Sequence, residues 1–245
     1  ARAIAEALGR PEQRFVPIKS VTDHDYQLLQ RLRRGYINAR TAQSNRIRGL
    51  LAEYGLVLPK GLAALRRRVP ELLEDGDNVL SPVVRHLLHQ ALEYIRQLDE
   101  QIAVCDQQMK QQLQDDEQAQ RLLAEPGFGE VLTACWRAKI GDGRWFRRGR
   151  DVSAAIGLVP RQHTTGDRPR LLGITKSGDK ELRSLLIHGA RAVVIHAHKK
   201  DDPLSRWICQ VKARRGIHKA TVALANKMAR RAWAITVYGD EVKSY

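Results

Sequence analysis

Apolar residues in this 245-residue chain recur mostly at three- and four-residue intervals, the spacing of amphipathic helices, which predicts a mainly α protein. Ala1 to Leu8 reads as the end of a helix broken by Gly9 and Pro11, and Phe15 to Lys19 passes through Pro17 in extended form. Thr22 or Asp23 caps a helix over Tyr26 to Tyr54, with Leu28, Leu29, Leu32, Tyr36, Ile37, Ile47, Leu50 and Leu51 as its apolar positions. Gly55 to Pro59 ends it. A short basic helix over Leu62 to Val69 and an acidic turn at Glu74 to Asn78 lead to Pro82, where the period becomes seven. Val84, Ala91, Leu98 and Cys105 form one heptad row and Leu88, Ile95, Ile102 and Met109 the other, a seam of about 40 Å at 1.5 Å per residue. The pattern predicts a coiled coil within or between chains; a bundle helix packed on its own domain is the alternative. Residues 111–120, rich in Gln and Asp, loosen it. Near the end, Leu204 to Val211 and Lys219 to Tyr238 read as helices, the second with Val222, Leu224, Ala225, Met228, Ala229, Ala232 and Trp233 on its core face.

Charge then divides the chain. Residues 126–245 hold 24 Lys and Arg against 10 Asp and Glu, a net of +14, whereas residues 1–125 hold 18 against 17. One-sided basicity is the footprint of a polyanion partner, because neutralising phosphates releases condensed counterions. Nucleic acid is therefore the expected partner. Arg31, Arg33, Arg34, Arg40, Arg46 and Arg48, between the apolar positions of the long helix, make either a solvated face or a phosphate-tracking one. The expected organisation is a helical linker region over 1–80, a coiled coil over 81–125 and a compact basic domain over 126–245. No apolar run approaches the ~18 residues of a membrane span, and no basic-then-apolar signal segment opens the chain. A cytoplasmic protein with no membrane partner is expected. Cys105, Cys135 and Cys209, far apart and outside any C-x-x-C spacing, read as reduced core thiols.

Chemistry concentrates in the basic half. Pro126-Gly127-Phe128-Gly129 before a helix is similar to the turn of a helix-hairpin-helix, whose free backbone N–H groups hold a phosphate; the same residues also suit a core-packed cap. Arg144, Trp145, Phe146, Arg147, Arg148 and Arg150 mix aromatic and basic side chains, as backbone-binding segments do. Arg161, Arg168, Arg170, Lys176, Lys180 and Arg183 surround the hydroxyl pair Thr164-Thr165 and suit a scissile phosphate. Lys212, Arg214 and Arg215, with Lys219, form a second basic cluster. His188, His196 and His198 near Asp201 and Asp202 lack the pattern of a metal site, since His188 belongs to a helix and no thiolate is near in sequence.

Two blocks carry a family resemblance. Ala154-Ala155-Ile156-Gly157-Leu158-Val159-Pro160-Arg161-Gln162-His163 runs through Thr164-Thr165-Gly166 to Arg170-Leu171-Leu172-Gly173-Ile174-Thr175-Lys176, and Leu182 to Val193 follows as LRSLLIHGARAV. Arg14 to Ser20, Arg40-Thr41, Asn45 to Glu53 and Gly61-Leu62 add to it. The chain resembles insertion-sequence transposases of the insertion sequence one-hundred-and-ten family, in particular its eleven-eleven subgroup, over essentially its whole length. The resemblance implies a recombinase that cuts and joins DNA under a guide RNA. It further implies a resolvase-like N-terminal domain whose Asp-Glu-Asp-Asp set holds divalent metal, a helical middle for assembly, and a C-terminal domain with a hydroxyl nucleophile.

Two departures follow. The family's last metal-binding aspartate falls just before the segment that opens here as Ala1-Arg2-Ala3-Ile4-Ala5-Glu6-Ala7, so the chain is expected to carry no cofactor itself, Mg²⁺ belonging to the absent N-terminal portion. The pair that usually contains serine is Thr164-Thr165, favoured as nucleophile over Ser177; the alternative is that both threonines only cap a turn with Gly166. His163 is the candidate for proton removal. Two functions are therefore weighed: a transposase joining strands through a hydroxyl, with DNA, a guide RNA and a second copy of itself as partners, or a catalytically inactive remnant that binds nucleic acid and dimerises.

Overall fold

A computed structural model describes residues 2–10, 17–165 and 168–239. In chain order its elements are α1 (Arg2–Leu8), α2 (Val21–Glu53), α3 (Leu62–Glu74), α4 (Pro82–Gln114), α5 (Glu117–Leu123), α6 (Glu130–Ile140), α7 (Gly149–Ala155), β1 (Pro160–Thr165), β2 (Arg168–Ile174), α8 (Lys180–His196), α9 (Pro203–Arg215) and α10 (Ile217–Tyr238), with a 3-10 turn at Ala197–Lys199. The protein is thus mainly α, as the periodicity predicts. The chain divides into two compact units, Gln27–Asp115 and Ala1–Tyr26 with Asp116–Tyr245. The second carries 29 Lys and Arg against 17 Asp and Glu, the first 13 against 10.

In the Gln27–Asp115 unit, α2 and α4 run antiparallel: Arg33 pairs with Asp106 at 2.5 Å and Arg40 with Asp99 at 2.6 Å, a step of seven residues on each helix. Arg33 and Arg40 lie in one row with buried Gln30, Ser44, Ile47 and Leu51, whereas Leu28, Leu32 and Leu50 face solvent. The apolar positions that announce α2 are therefore not all on its packed face. Two of its arginines also have a use other than those expected of them, since each closes an ion pair within the fold. On α4 the predicted rows do turn inward, with Leu88, Ile95, Leu98, Ile102, Cys105 and Met109 buried. Ser81 caps α4 and Pro82 opens it.

α3 runs on through Pro70 to Glu74, past the stop expected at Val69. Its last turn is held from outside: Leu72 and Leu73 pack against the core cluster, and the Arg85 guanidinium donates to the carbonyls of Leu72 (3.2 Å), Leu73 (2.8 Å) and Asp75 (2.6 Å). One side chain thereby satisfies the carbonyls that a helix end leaves open.

The other unit is built on α10, whose buried face includes Ala220, Leu224, Ala225, Met228, Ala229, Ala232 and Trp233, flanked by α5, α7, α8 and α9. Trp136 is wholly buried and donates through Nε1 to Thr236 Oγ1 at 3.0 Å; Trp233 donates to the Gly143 carbonyl at 2.9 Å. Buried indoles need such partners for their N–H. Glu125 and Arg231 form a two-pronged ion pair at 2.6 and 2.9 Å. Asp116 caps α5 and also accepts from Arg137 Nε at 2.7 Å and from the Tyr26 hydroxyl at 3.3 Å. Burial, then the Asp116 carboxylate, pushes the Tyr26 phenol well above its ordinary range. Cys105 and Cys135 are buried and Cys209 half-buried, all as free thiols. Among the described residues, no helix is long and apolar enough to cross a membrane.

Candidate nucleic-acid interface and strand-joining site

In a chain whose periodicity predicts helices, the block from Pro160 to Ile174 folds instead as the antiparallel hairpin β1–β2. Its register pairs Gln162 with Leu171, His163 with Arg170, Thr164 with Pro169 and Thr165 with Arg168, with an irregularity between Pro160 and Gln162 where Arg161 sits. Arg161, Gln162, His163, Thr164 and Arg170 are all exposed. Strand alternation puts Thr164 on the face of Gln162, whose Nε2 donates to the Thr164 hydroxyl at 2.9 Å, and on the opposite face from His163. His163 is not placed to take a proton from Thr164. Gly166 lies outside the described residues, as do the side chains of Thr165 and Arg168.

The hairpin is fixed at its root. Thr175 N–H donates to the Val159 carbonyl at 2.9 Å and Lys176 N–H to the Gly157 carbonyl at 3.1 Å. Lys176 adopts φ 58°, a left-handed conformation that costs a non-glycine residue about 1–2 kcal/mol. The surroundings enforce it: a Cβ on Gly157 would lie 2.3 Å from the Ser177 carbonyl oxygen, and the Thr175 and Ser177 hydroxyls share a hydrogen bond of 2.9 Å. Lys176 and Lys180 are exposed beside the root. Arg183, by contrast, is buried, and its Nη1 donates to the carbonyls of Ile156 at 2.7 Å and Ser177 at 2.8 Å. Its charge holds the turn from behind.

The Pro126–Gly129 turn does precede a helix, with Gly129 as the N-cap of α6. Gly127, at φ 86°, is spent on close packing, since its Cβ would fall 2.8 Å from Met228 Cε and 3.0 Å from the Gly189 carbonyl oxygen. Nothing lies within 4 Å of a Cβ on Gly129, so the start of α6 stays open there. Lys212, Arg214 and Arg215 occupy the last turn of α9, where cations also complement the helix dipole. The sequence-predicted residues thus form three groups, at the hairpin and its root, at the start of α6 and at the end of α9.

Among the described residues, carboxylates do not gather into a divalent-metal site. Asp151 meets the Arg148 amide at 3.1 Å, Asp179 caps α8 and pairs with Lys139 at 2.9 Å, and Asp142 meets the Arg144 amide at 3.1 Å. Among the described residues no three His, Cys, Asp or Glu side chains are placed to hold a metal ion, the His188, His196 and His198 set included.

Residues 119–207, from α5 through the hairpin and α8 into α9, match the sequence profile of the Transposase IS116/IS110/IS902 family. Over 96% of its length the chain is 41% identical to the transposase for insertion sequence element IS1111A of Coxiella burnetii, of which it covers 65%. Over 98% it is 36% identical to the transposase for insertion sequence element IS1328 of Yersinia enterocolitica, of which it covers 71%. A Pseudomonas aeruginosa protein named "Probable family 20 transposase" is 42% identical over 96% of the chain, which covers 70% of it. The chain belongs to this transposase family. It spans 65–71% of the length of these relatives. The profile takes in the hydroxyl pair, the hairpin root and Arg183; α10, the central helix of the unit, lies beyond the matched residues of this transposase.

Proposed function

We propose that this transposase chain grips DNA with its basic unit and exchanges strands through a threonine hydroxyl, Thr164 or Thr165. The supporting observation is the hairpin: it carries Thr164 exposed beside exposed Gln162 and His163, it is hydrogen-bonded at its root, and exposed Arg161 and Arg170 lie on its strands with exposed Lys176 and Lys180 beside that root. A backbone phosphate beside the pair meets cations that neutralise charge as it builds on phosphorus. In the step, the threonine oxygen bonds to phosphorus while a bridging P–O bond breaks. The leaving deoxyribose oxygen takes up the proton. Guide RNA and self-association through the α2–α4 region belong to the same proposal.

A covalent protein–DNA adduct is the direct test. The chain is incubated with a labelled branched duplex, denatured and resolved by electrophoresis. The wild type yields an adduct and the Thr164→Ala/Thr165→Ala double variant none, with the single variants showing which hydroxyl reacts. Adduct at wild-type yield from the double variant overturns the nucleophile. DNA binding without adduct from any form supports the second reading, an assembly and binding module, which the separation of Thr164 from His163 favours.

A further inference from the structure

A second basic surface in the same unit is built from residues that only folding brings together. α7, α9, α10 and Pro160 of β1 border a cleft of about 1010 Å³ whose lining includes Arg148, Arg150, Lys227 and Arg230 together with Trp207 and Trp233. Arg148 and Arg150 start α7, some eighty positions before Arg230. They come to it because Gly149 presses on α10: a Cβ there would stand 3.1 Å from the Arg230 carbonyl oxygen and 3.2 Å from its Cα. The junction is tied again where Asn226 Nδ2 donates to the Leu158 carbonyl at 3.2 Å and Ser153 Oγ to the Asn226 carbonyl at 3.4 Å.

Among the described residues no acid lines the cleft, and the nearby carboxylate of Glu125 is spent on Arg231. Arg148, Arg150 and Arg230 are exposed and make no ion pair among the described residues. Lys227 is fixed with its ammonium 4.8 Å from the centre of the Trp207 ring. Trp207 lies under that cation, and Trp233 is buried with its N–H donated to Gly143. Asp151, beside the cluster, is turned to the Arg148 amide, and the excess of positive charge on the walls selects a polyanion. One aromatic face covered by a cation and another buried disfavour a single strand, which would stack its bases on them, and favour a duplex, which offers its backbone.

We infer that this cleft, which meets the hairpin only at Pro160 where β1 begins, is a sequence-independent site for the sugar-phosphate backbone of duplex DNA, alongside the hairpin where strand joining is proposed. The inference rests on the DNA reading of the chain and adds the surface that holds the duplex. The Arg150 and Arg230 guanidinium groups each neutralise a phosphate, with Arg148 and Lys227 extending the track.

Fluorescence anisotropy with a labelled duplex of arbitrary sequence, titrated with the full chain from about 50 to 200 mM salt, measures both affinity and salt slope. Arg150→Gln/Arg230→Gln is expected to weaken binding on the order of tenfold at the lower salt and to reduce the slope by about 0.9 per cation removed. Arg150→Lys/Arg230→Lys keeps the slope. Arg67→Gln/Arg96→Gln, an equal loss of charge in the other unit, is the comparison, and thermal melting confirms that every variant is folded. If the Gln cleft variant binds like that comparison while the wild type binds duplex DNA, the cleft is not the site and the DNA reading stands. A wild type that ignores the duplex overturns both. Loss confined to a hairpin RNA, with duplex DNA binding intact, also overturns the inference.

Discussion

Gly178 lies so close to Ala155 that a Cβ on it would stand 1.7 Å from the Ala155 carbonyl oxygen. Gly178 also has φ 71°, a region that side chains avoid. Space and backbone conformation thus agree at the point where α7 ends against the hairpin root. Gly178→Ala is expected to destabilise the protein by about 3 kcal/mol or more, from backbone strain plus overpacking, as measured by urea denaturation. Gly35 gives the opposite sign. It sits within α2 with nothing within 4 Å of an added Cβ, so Gly35→Ala stabilises by about 0.5–1 kcal/mol. Equal effects at the two positions would contradict the packing described at the root.

The helices were legible because most of them bury one apolar stripe, and α4 kept its seven-residue rows, Leu88 to Met109, against its own domain. The partner of that seam was not legible. α2 meets it with Gln30, Arg33, Arg40 and Ser44 before the row turns apolar at Ile47 and Leu51, so over the first half of α2 the packed row is polar and hydrophobic periodicity points instead at exposed Leu28 and Leu32. The hairpin was hidden for a related reason. It has little core face, with Leu171 67% and Leu172 41% exposed, so burial leaves no alternating pattern to read. At the site, the threonine pair and the basic residues around it stood out as neighbours in sequence. The buried role of Arg183 did not, because the carbonyls that claim it belong to Ile156 and Ser177, on either side of the hairpin. Arg150 and Arg230 were likewise invisible as neighbours, since only the close approach at Gly149 joins them.

Arg183 separates structural from binding charge. Replacing it by Met keeps much of its volume but strips the carbonyls of Ile156 and Ser177 of their donor. The loss is expected to be about 2–4 kcal/mol, read as a lower melting temperature. The salt slope for DNA is expected to stay at its wild-type value, because a guanidinium committed to two carbonyls releases no counterion from DNA. A reduced slope with unchanged stability would place Arg183 on the phosphate instead.

The polar row of α2 makes a prediction about specificity. Asp99 accepts from Arg40 at 2.6 Å and also from Arg66, so Asp99→Leu leaves two half-buried or exposed cations facing an apolar side chain. Because all three groups are partly solvated, the cost is expected to be modest, about 1–2 kcal/mol. Arg40→Leu/Asp99→Leu is expected to recover most of it by extending the apolar seam of α4, as replacement of an ion pair by packed hydrophobes does elsewhere. A double-mutant cycle by chemical denaturation checks the pair, and purely additive losses would show that the two side chains are not coupled.

Lys139 and Asp179 set a pH window for the start of α8. Burial disfavours charge on Asp179, but the Leu182 amide and the Lys139 ammonium outweigh it and hold the carboxyl below its ordinary value of 3.8. Burial likewise opposes charge on Lys139, and its hydrogen bond to Asp179 overcomes that and holds the ammonium above its ordinary value of 10.5. A depressed acid contributes stability that is complete above 3.8 and is lost as pH falls through the lower folded value. A raised base contributes stability that is complete below 10.5 and is lost as pH rises through the higher folded value. Asp179→Ala removes both the cap and the pair, and is expected to cost about 1 kcal/mol at neutral pH. The difference between wild type and variant, followed by urea unfolding, should hold steady across the window and shrink below it as Asp179 protonates in the wild type. A difference that instead grows toward acid would mean that the carboxyl is protonated in the native state and that the cap is made by some other group.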